Sequence, residues 1–271
     1  MRIALAQFAA GPDMEANLRQ MLALTERAAV ARAELVLFPE WSMLNPPPDP
    51  SQGQFAEALD GAFVTALAGA ARRHGVAVVA GLFEPAPGSE RVFNTVVALD
   101  GAGRPVGSYR KIHLYDSFGY RESDRLVAGA GDTLVFTLGG VTFGVQTCYD
   151  VRFPEVSRHL VARGAEVMLL PAAWVHGPLK ESHWEVLIRA RAIENTAYVA
   201  AAGMSGRPHT GCSMLVDPMG VAVARAGEAE ALVVGEVDPE RLRAVRRTNP
   251  SLENMRPEVY AAWAPATAAP R

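Results

Sequence analysis

Val92-Phe93-Asn94-Thr95-Val96-Val97-Ala98-Leu99-Asp100-Gly101-Ala102-Gly103-Arg104-Pro105-Val106-Gly107-Ser108-Tyr109 is the stretch that decides the fold. Its two apolar runs, Val92 to Leu99 and Arg104 to Tyr109, flank a turn signal at Asp100-Gly101, so the spacing predicts a hairpin and antiparallel pairing. Leu134 to Thr137 and Val141 to Gln146, joined through Gly139-Gly140, read the same way. Outside this middle region, strands and helices alternate. Upstream, strands at Arg2 to Ala9, Leu35 to Phe38 and Val76 to Phe83 are separated by helices from Asp13 to about Ala33 and from Phe55 to Arg73. Downstream come a helix from Pro154 to Arg163, a strand from Val167 to Leu170, a helix from Lys180 to Asn195 and a strand from Tyr198 to Ala202. Short strands at Ser213 to Val216, Val221 to Ala224 and Leu232 to Val237 precede a charged helix over Asp238 to Arg247. Helices on both sides of many strands, with hairpins in the middle, predict an α/β protein with two sheets packed face to face under outer helices, a four-layer α-β-β-α sandwich. No linker or repeat divides the chain, so one domain is expected over residues 1–263, with 264–271 a frayed tail.

Composition narrows the function classes. Of 271 residues, 49% are hydrophobic and 20% charged, enough apolar material for a large core and too much for a disordered chain. A net charge of −3 leaves no excess of Lys and Arg for tracking phosphates, so neither nucleic acid nor an anionic membrane is an expected partner. The longest apolar stretches, such as Val76 to Phe83, fall well short of the roughly 20 residues that cross a bilayer. Near the N-terminus, Gln7 interrupts the run Ile3-Ala4-Leu5-Ala6 and Gly11-Pro12-Asp13 ends it, which reads as a strand rather than a signal peptide; a cytoplasmic location is expected. Two cysteines, Cys148 and Cys212, are too few for a disulfide framework and point to a reducing compartment.

Cys148 follows the apolar strand ending at Gln146 and precedes the helix opened by Pro154, a junction where backbone N–H groups can hold an anion. A thiolate is a strong nucleophile but needs a nearby base or cation to form near neutral pH. Taken alone, a single cysteine is more readily an inert buried thiol. Its context is Thr147-Cys148-Tyr149-Asp150-Val151-Arg152-Phe153-Pro154-Glu155, and two further strings matter: Leu37-Phe38-Pro39-Glu40 and Tyr109-Arg110-Lys111-Ile112-His113-Leu114. Each sets one chemically competent group at or near the end of an apolar strand, where a lone Glu or Lys would ordinarily be a solvated surface charge.

Jointly these strings resemble the nitrilase superfamily of carbon-nitrogen hydrolases, whose catalytic Glu, Lys and Cys occur in this chain order. The resemblance implies that Glu40, Lys111 and Cys148 are the catalytic residues. It extends through Ile3-Ala4-Leu5-Ala6-Gln7, through His183-Trp184-Glu185 with Arg189 to Asn195, and through Ser213-Met214-Leu215-Val216-Asp217-Pro218-Met219-Gly220. A second carboxylate of the family falls on Glu122 in Arg121-Glu122-Ser123, with Asp116 and Asp124 as nearby competitors. Two departures stand out: Thr147 replaces the usual Ile or Val before the nucleophile, and Cys212, read as structural, occupies a position often held by His.

The group types define the expected chemistry. Glu40 would act as general base while the Cys148 sulfur attacks an amide carbonyl, and Lys111 with the backbone N–H of Tyr149 would stabilise the oxyanion. A thioester acyl-enzyme results, which water activated by Glu40 hydrolyses. Glu122 would orient the amide nitrogen or hold Lys111 and Glu40 in their working protonation states. Trp174 follows a strand end and either walls the substrate pocket or packs in the core. Arg152 is expected to pair with Glu155 or Asp150, and Asp150 to support the junction. Neither H-E-x-x-H nor C-x-x-C occurs, and no dinucleotide or phosphate-binding fingerprint is present, so no metal and no cofactor are expected.

Cys-Tyr-Asp-x-Arg-Phe-Pro-Glu is similar to the branch of amidases acting on ω-amides of dicarboxylic acids and on deaminated glutathione. True nitrilases more often carry Cys-Trp-Glu, and carbamoylases Cys-Asn-Asp. The resemblance therefore implies hydrolysis of a small carboxamide bearing a carboxylate; Lys180 or Arg207 is the candidate anion partner by its charge alone. Leu179-Lys180-Glu181-Ser182, interposed between Gly177-Pro178 and His183-Trp184-Glu185, lengthens the usual spacing near the pocket entrance. A nitrilase or N-carbamoyl amidohydrolase, and a catalytically silent interaction protein on the same scaffold, are the alternatives. A homodimer or larger homo-oligomer is expected from the family, formed by outer helices and the segment from Arg246 to Trp263.

Overall fold

In the opening strand, β1 (Arg2–Gln7), Ile3 and Leu5 point to one face and Ala4 and Ala6 to the other, and all four are fully buried. A strand buried on both faces must lie inside a layered structure. The computed structural model describes residues 1–45 and 52–263. The tail expected at 264–271 lies outside them, as does most of the proline-rich loop after Asn45.

In chain order the remaining elements are α1 (Met14–Val30), β2 (Leu35–Leu37), α2 (Ala62–His74), β3 (Ala77–Pro85), β4 (Val92–Leu99), β5 (Pro105–Arg110), β6 (Asp116–Ser117), β7 (Tyr120–Arg121), β8 (Leu126–Val127), β9 (Val135–Leu138), β10 (Val141–Val145), α3 (Pro154–Ala162), β11 (Val167–Ala172), α4 (Lys180–Asn195), β12 (Tyr198–Gly203), β13 (Met214–Val216), β14 (Ala222–Arg225), β15 (Ala231–Glu236), α5 (Pro239–Thr248) and α6 (Pro257–Trp263). The first sheet has the order β15-β1-β2-β3-β4-β5, with β8 beside β4. The second has the order β14-β13-β12-β11-β10-β9, and β6 and β7 form a separate small hairpin. The predicted hairpin β4–β5 is antiparallel, pairing Val96 with Tyr109, whereas β1, β2 and β3 run parallel, as do β10, β11 and β12.

Strand alternation sorts the apolar residues into three cores. Leu5, Leu37 and Val79 of the first sheet meet Val145, Leu169 and Ala200 of the second in the central one. The opposite face of the first sheet, with Val36, Val78 and Leu82, packs on Met21 and Leu24 of α1 and Leu67 of α2. Met168, Val199 and Val216 of the second sheet pack on Leu160 of α3 and Trp184 and Ile188 of α4. This is the α-β-β-α sandwich expected from the sequence. Truncating one such residue, for instance Leu169→Ala, removes contacts on the sheet-to-sheet seam and costs about 2–5 kcal/mol.

Local signals explain most boundaries. Asp13 caps α1 by accepting from the Ala16 N–H at 3.0 Å, and Gly75 closes α2 in the left-handed region at φ 67°. The expected helix from Phe55 is corrected: Gln52–Phe55 forms a separate 3-10 turn and α2 starts only at Ala62. Gly61 stands at the N-cap, and Glu57 reaches over to accept from the Phe63 N–H at 2.9 Å. Among the described residues, no helix is long and apolar enough to cross a membrane.

Candidate active site

The parallel strands of both sheets deliver their carboxyl ends to one side of the sandwich, and the candidate residues stand there. Glu40 leaves β2 through Pro39, and Trp41 after it takes a left-handed backbone at φ 58°. This loop lies across Gly81 of β3, where a Cβ would come within 2.8 Å of the Trp41 nitrogen, so only glycine lets Glu40 sit so low. Lys111 directly follows β5, and its backbone N–H donates to the Asn94 carbonyl on β4 at 2.9 Å. Cys148 stands beyond β10 with φ 47°, a conformation costly for a residue with a side chain and compatible with a site held by its surroundings.

Asp150 supplies much of that hold. Fully buried, it accepts from the Thr147 N–H at 2.8 Å and from the Tyr109 hydroxyl at 2.6 Å. It also accepts from the His113 N–H at 3.2 Å, and His113 Nδ1 lies 2.8 Å from the same carboxylate. The cysteine turn is thereby tied to the segment that carries Lys111. The support expected of Asp150 is present, and Thr147 enters it through its backbone. Arg152 is a correction: instead of an ion pair with Glu155 or Asp150, its guanidinium lies 4.9 Å over the Trp174 ring, with Nη2 3.4 Å from His183 Nδ1.

Glu40, Lys111, Glu122 and Cys148 converge in one buried cluster. Lys111 Nζ donates to Glu40 Oε1 at 2.9 Å and to Glu122 Oε2 at 2.8 Å. Glu40 also accepts from Asn94 Nδ2 at 2.7 Å and from the Ala173 N–H at 2.8 Å, and the Cys148 thiol lies beside it. Glu122 is fixed further by the Tyr115 N–H at 2.6 Å. Its two competitors are engaged elsewhere: Asp116 accepts from Ser123, and Asp124, on the exposed rim of the cavity, faces Arg121.

Burial would push the Glu40 carboxyl up, but the Lys111 charge and the hydrogen bonds from Cys148 and Ala173 prevail and hold it below the ordinary glutamate value. Burial also pushes Glu122 up, and with the Glu40 charge it outweighs Lys111 there, so the two carboxyls are driven apart. Lys111 loses hydration by burial, yet the charges of Glu122 and Glu40 raise its pKa well above the usual lysine value. For Cys148, burial and the Glu40 charge raise the thiol far above its ordinary value despite Lys111. The cluster at rest is a carboxylate beside a neutral thiol, with an ammonium shared between two carboxyls.

A cavity of about 860 Å³ opens onto Cys148, Lys111 and Glu40. Trp174 lines it, and its Nε1 donates to the Lys180 carbonyl at 2.8 Å. Lys180 lines it too, whereas Arg207 is exposed and not among its walls. Sequence reasoning missed Asn94, the Ala173 N–H, and the cavity residues Tyr115, Phe118, Tyr120 and His209. A signal existed only for Tyr115, which directly follows the lysine string Tyr109 to Leu114. Cys212 lies apart, its carbonyl accepting from Trp184 Nε1 at 2.9 Å, in keeping with a structural role.

A family profile described as carbon-nitrogen hydrolase matches residues 2–247. A deaminated glutathione amidase of Escherichia coli is 40% identical over 258 residues, covering 94% of this chain and 97% of the relative. An omega-amidase of Saccharomyces cerevisiae is 33% identical, with 96% of this chain and 94% of the relative covered. Among solved structures, an amidase from Nesterenkonia sp. superposes with a TM-score of 0.84 at 32% identity, covering 97% of this chain and 99% of the other. One form of that amidase carries the acetamide moiety of fluoroacetamide on its active-site cysteine.

Proposed function

Because the chain belongs to the carbon-nitrogen hydrolase family, we propose that it is an amidase hydrolysing a small carboxamide to a carboxylic acid and ammonia through a thioester on Cys148. One observation carries this reading: the Glu40 carboxylate, bonded to the Lys111 ammonium at 2.9 Å, stands beside the Cys148 thiol on the wall of one cavity.

Since the thiol is held neutral at rest, its proton passes to Glu40 as sulfur forms its bond to the amide carbonyl carbon. The carbonyl π electrons move to oxygen, and the oxyanion is met by Lys111 and the Tyr149 N–H at the start of the turn Cys148–Arg152. Lys111 Nζ meets Glu40 Oε1 and both oxygens of Glu122, so one N–H shared across the Glu122 carboxyl leaves the third donor of the ammonium for the oxyanion. When the C–N bond breaks, Glu40 returns the proton to the nitrogen and ammonia leaves. Water then adds to the thioester, giving its proton to Glu40, and the acid departs as the thiol is restored. Glu122 holds Lys111 charged and in place. Trp174 walls the substrate side of the cavity.

The substrate proposed is a small carboxamide that also carries a carboxylate, in line with relatives described as deaminated glutathione amidase and omega-amidase. The catalytic unit is one domain over residues 1–263, working in the cytoplasm as a homodimer or larger homo-oligomer. Support for self-association comes from Val186 and Ile193 on α4 and Met219 and Val221 beside it, all exposed apolar side chains. An ammonia-release screen across carboxamides, nitriles and ureido compounds tests the function. Release from carboxamides that disappears in Cys148→Ala is expected; turnover retained by that variant, or release confined to nitriles or ureido compounds, contradicts it.

A further inference from the structure

Lys180 is a buried cation whose surroundings do not neutralise it. It is only 2% exposed, yet among the described residues no carboxylate forms an ion pair with its Nζ. Instead Nζ donates to the Tyr115 hydroxyl at 2.9 Å and lies 4.5 Å from the ring centres of both Tyr115 and Trp174 and 5.2 Å from that of Phe118. Rings and a hydroxyl offset part of the lost hydration, though not as a counter-ion does.

The local sequence adds to the conflict. Lys180 is the first residue of α4, where the helix dipole presents its positive end and disfavours a cation. Leu179 before it is left-handed at φ 57°, and Gly177 leaves room for the lysine stem, since a Cβ there would come within 2.9 Å of Lys180 Cγ. Burial lowers the Lys180 pKa, and Lys180 and Cys148 line one cavity. A residue held against dipole and desolvation inside a cleft marks a binding function.

We infer that Lys180 is the specificity-determining residue that receives the substrate's carboxylate, with the Tyr115 hydroxyl beside it, while the carboxamide reaches Cys148. This deepens the amidase reading and rests on it. Lys111 is already committed to Glu40 and Glu122, so an anionic substrate meets repulsion from those carboxyls unless another cation offsets it. Other cations lining the cavity have neighbours of their own: Arg121 faces Asp124, and Arg125 lies 5.1 Å over the Tyr120 ring. A single point charge beside one hydroxyl offsets the one charge of a carboxylate, whereas a phosphate dianion brings a second charge and a third oxygen that these two groups leave unmet.

The test compares succinamate with its neutral methyl ester on the wild type, Lys180→Met and Lys180→Gln. The wild type should favour the acid, and either variant should lower the acid-to-ester ratio of kcat/KM by about 100-fold, through KM. Lys180→Glu should turn the preference toward the cationic amide 4-aminobutyramide. A ratio that stays within about twofold in variants that still hydrolyse the ester overturns the inference, as does a wild type that prefers the ester. Calorimetric binding of succinate to the wild type and to Lys180→Met separates this from failure of the amidase reading. Weaker binding in the variant supports the anchor even where no amide is turned over, and equal binding refutes it.

Discussion

Two buried lysines line the same cavity and solve the problem of a buried charge in opposite ways. Lys111 sits on a floor of carboxyls, bonded to Glu40 and Glu122, and its ammonium is held more firmly charged than a lysine in water. Lys180 stands in an aromatic wall with one neutral hydrogen-bond partner, and its charge is disfavoured. The difference separates what the protein supplies from what the ligand brings. On the proposed reading the floor, complete without substrate, serves chemistry, whereas the wall, where no carboxylate among the described residues pairs with Lys180, serves recognition.

Four expected effects probe that contrast. Glu40→Gln removes the base and the link between thiol and ammonium; kcat should fall by about 10³-fold in a steady-state ammonia assay, and a drop under tenfold would remove Glu40 from the proton transfers. Lys111→Met leaves two buried carboxyls without their cation, so denaturant melts should show a loss of about 3–5 kcal/mol, and an unchanged midpoint would mean that the floor is not held by this ion pair.

Asn94→Ala deletes a 2.7 Å donor to Glu40 Oε1, and kcat should fall about tenfold. Losing a donor to the ionised carboxyl also raises its pKa, which gives a readout that simple loosening would not move. The base works ionised, so activity is present above the Glu40 pKa and lost as pH falls through it; in the wild type that limb lies below the ordinary glutamate range. In Asn94→Ala it should shift upward, and a limb that stays in place would assign Asn94 to packing alone. Smallest is the stability effect of Lys180→Met: the midpoint should stay within about 1 kcal/mol of wild type, since a charge without a counter-ion is traded for an apolar stem of similar reach. A loss as large as that from Lys111→Met would make both lysines structural and erase the contrast.

The floor was more legible in the sequence than the wall, for a physical reason. Glu40, Lys111 and Cys148 each end or follow an apolar strand, which strand periodicity locates, but it is the resemblance of their three strings to the nitrilase superfamily that joined them into one site. The fold was legible likewise, because strands buried on both faces write continuous apolar runs such as Ala77 to Phe83. Glu122 was harder: it sits in a 3-10 turn between the two-residue strands β7 and β8, too short for any periodicity to register. Asn94 was invisible, since a polar residue inside a strand reads as a solvent-facing position until its neighbour across the sheet opening is known. For the wall, Lys180 could be suspected from charge alone, but Arg207 carried the same charge and proved exposed. Only the burial of Lys180 among Tyr115 and Phe118, which flank β6, and Trp174, which follows β11, distinguishes them. Arg152 shows the same limit: adjacency to acids in sequence predicted an ion pair, and a ring brought in by the strand end of β11 replaced it.

Intact-protein mass spectrometry of the wild type quenched during turnover of succinamate tests the central claim most directly. The account predicts a protein heavier by the acyl group less one hydrogen, localised by peptide mapping to Cys148, sensitive to hydroxylamine, and absent from Cys148→Ala, which should also lose ammonia release by about 10⁴-fold or more. Ammonia release that persists in Cys148→Ala, or an adduct that maps to Cys212, would contradict it.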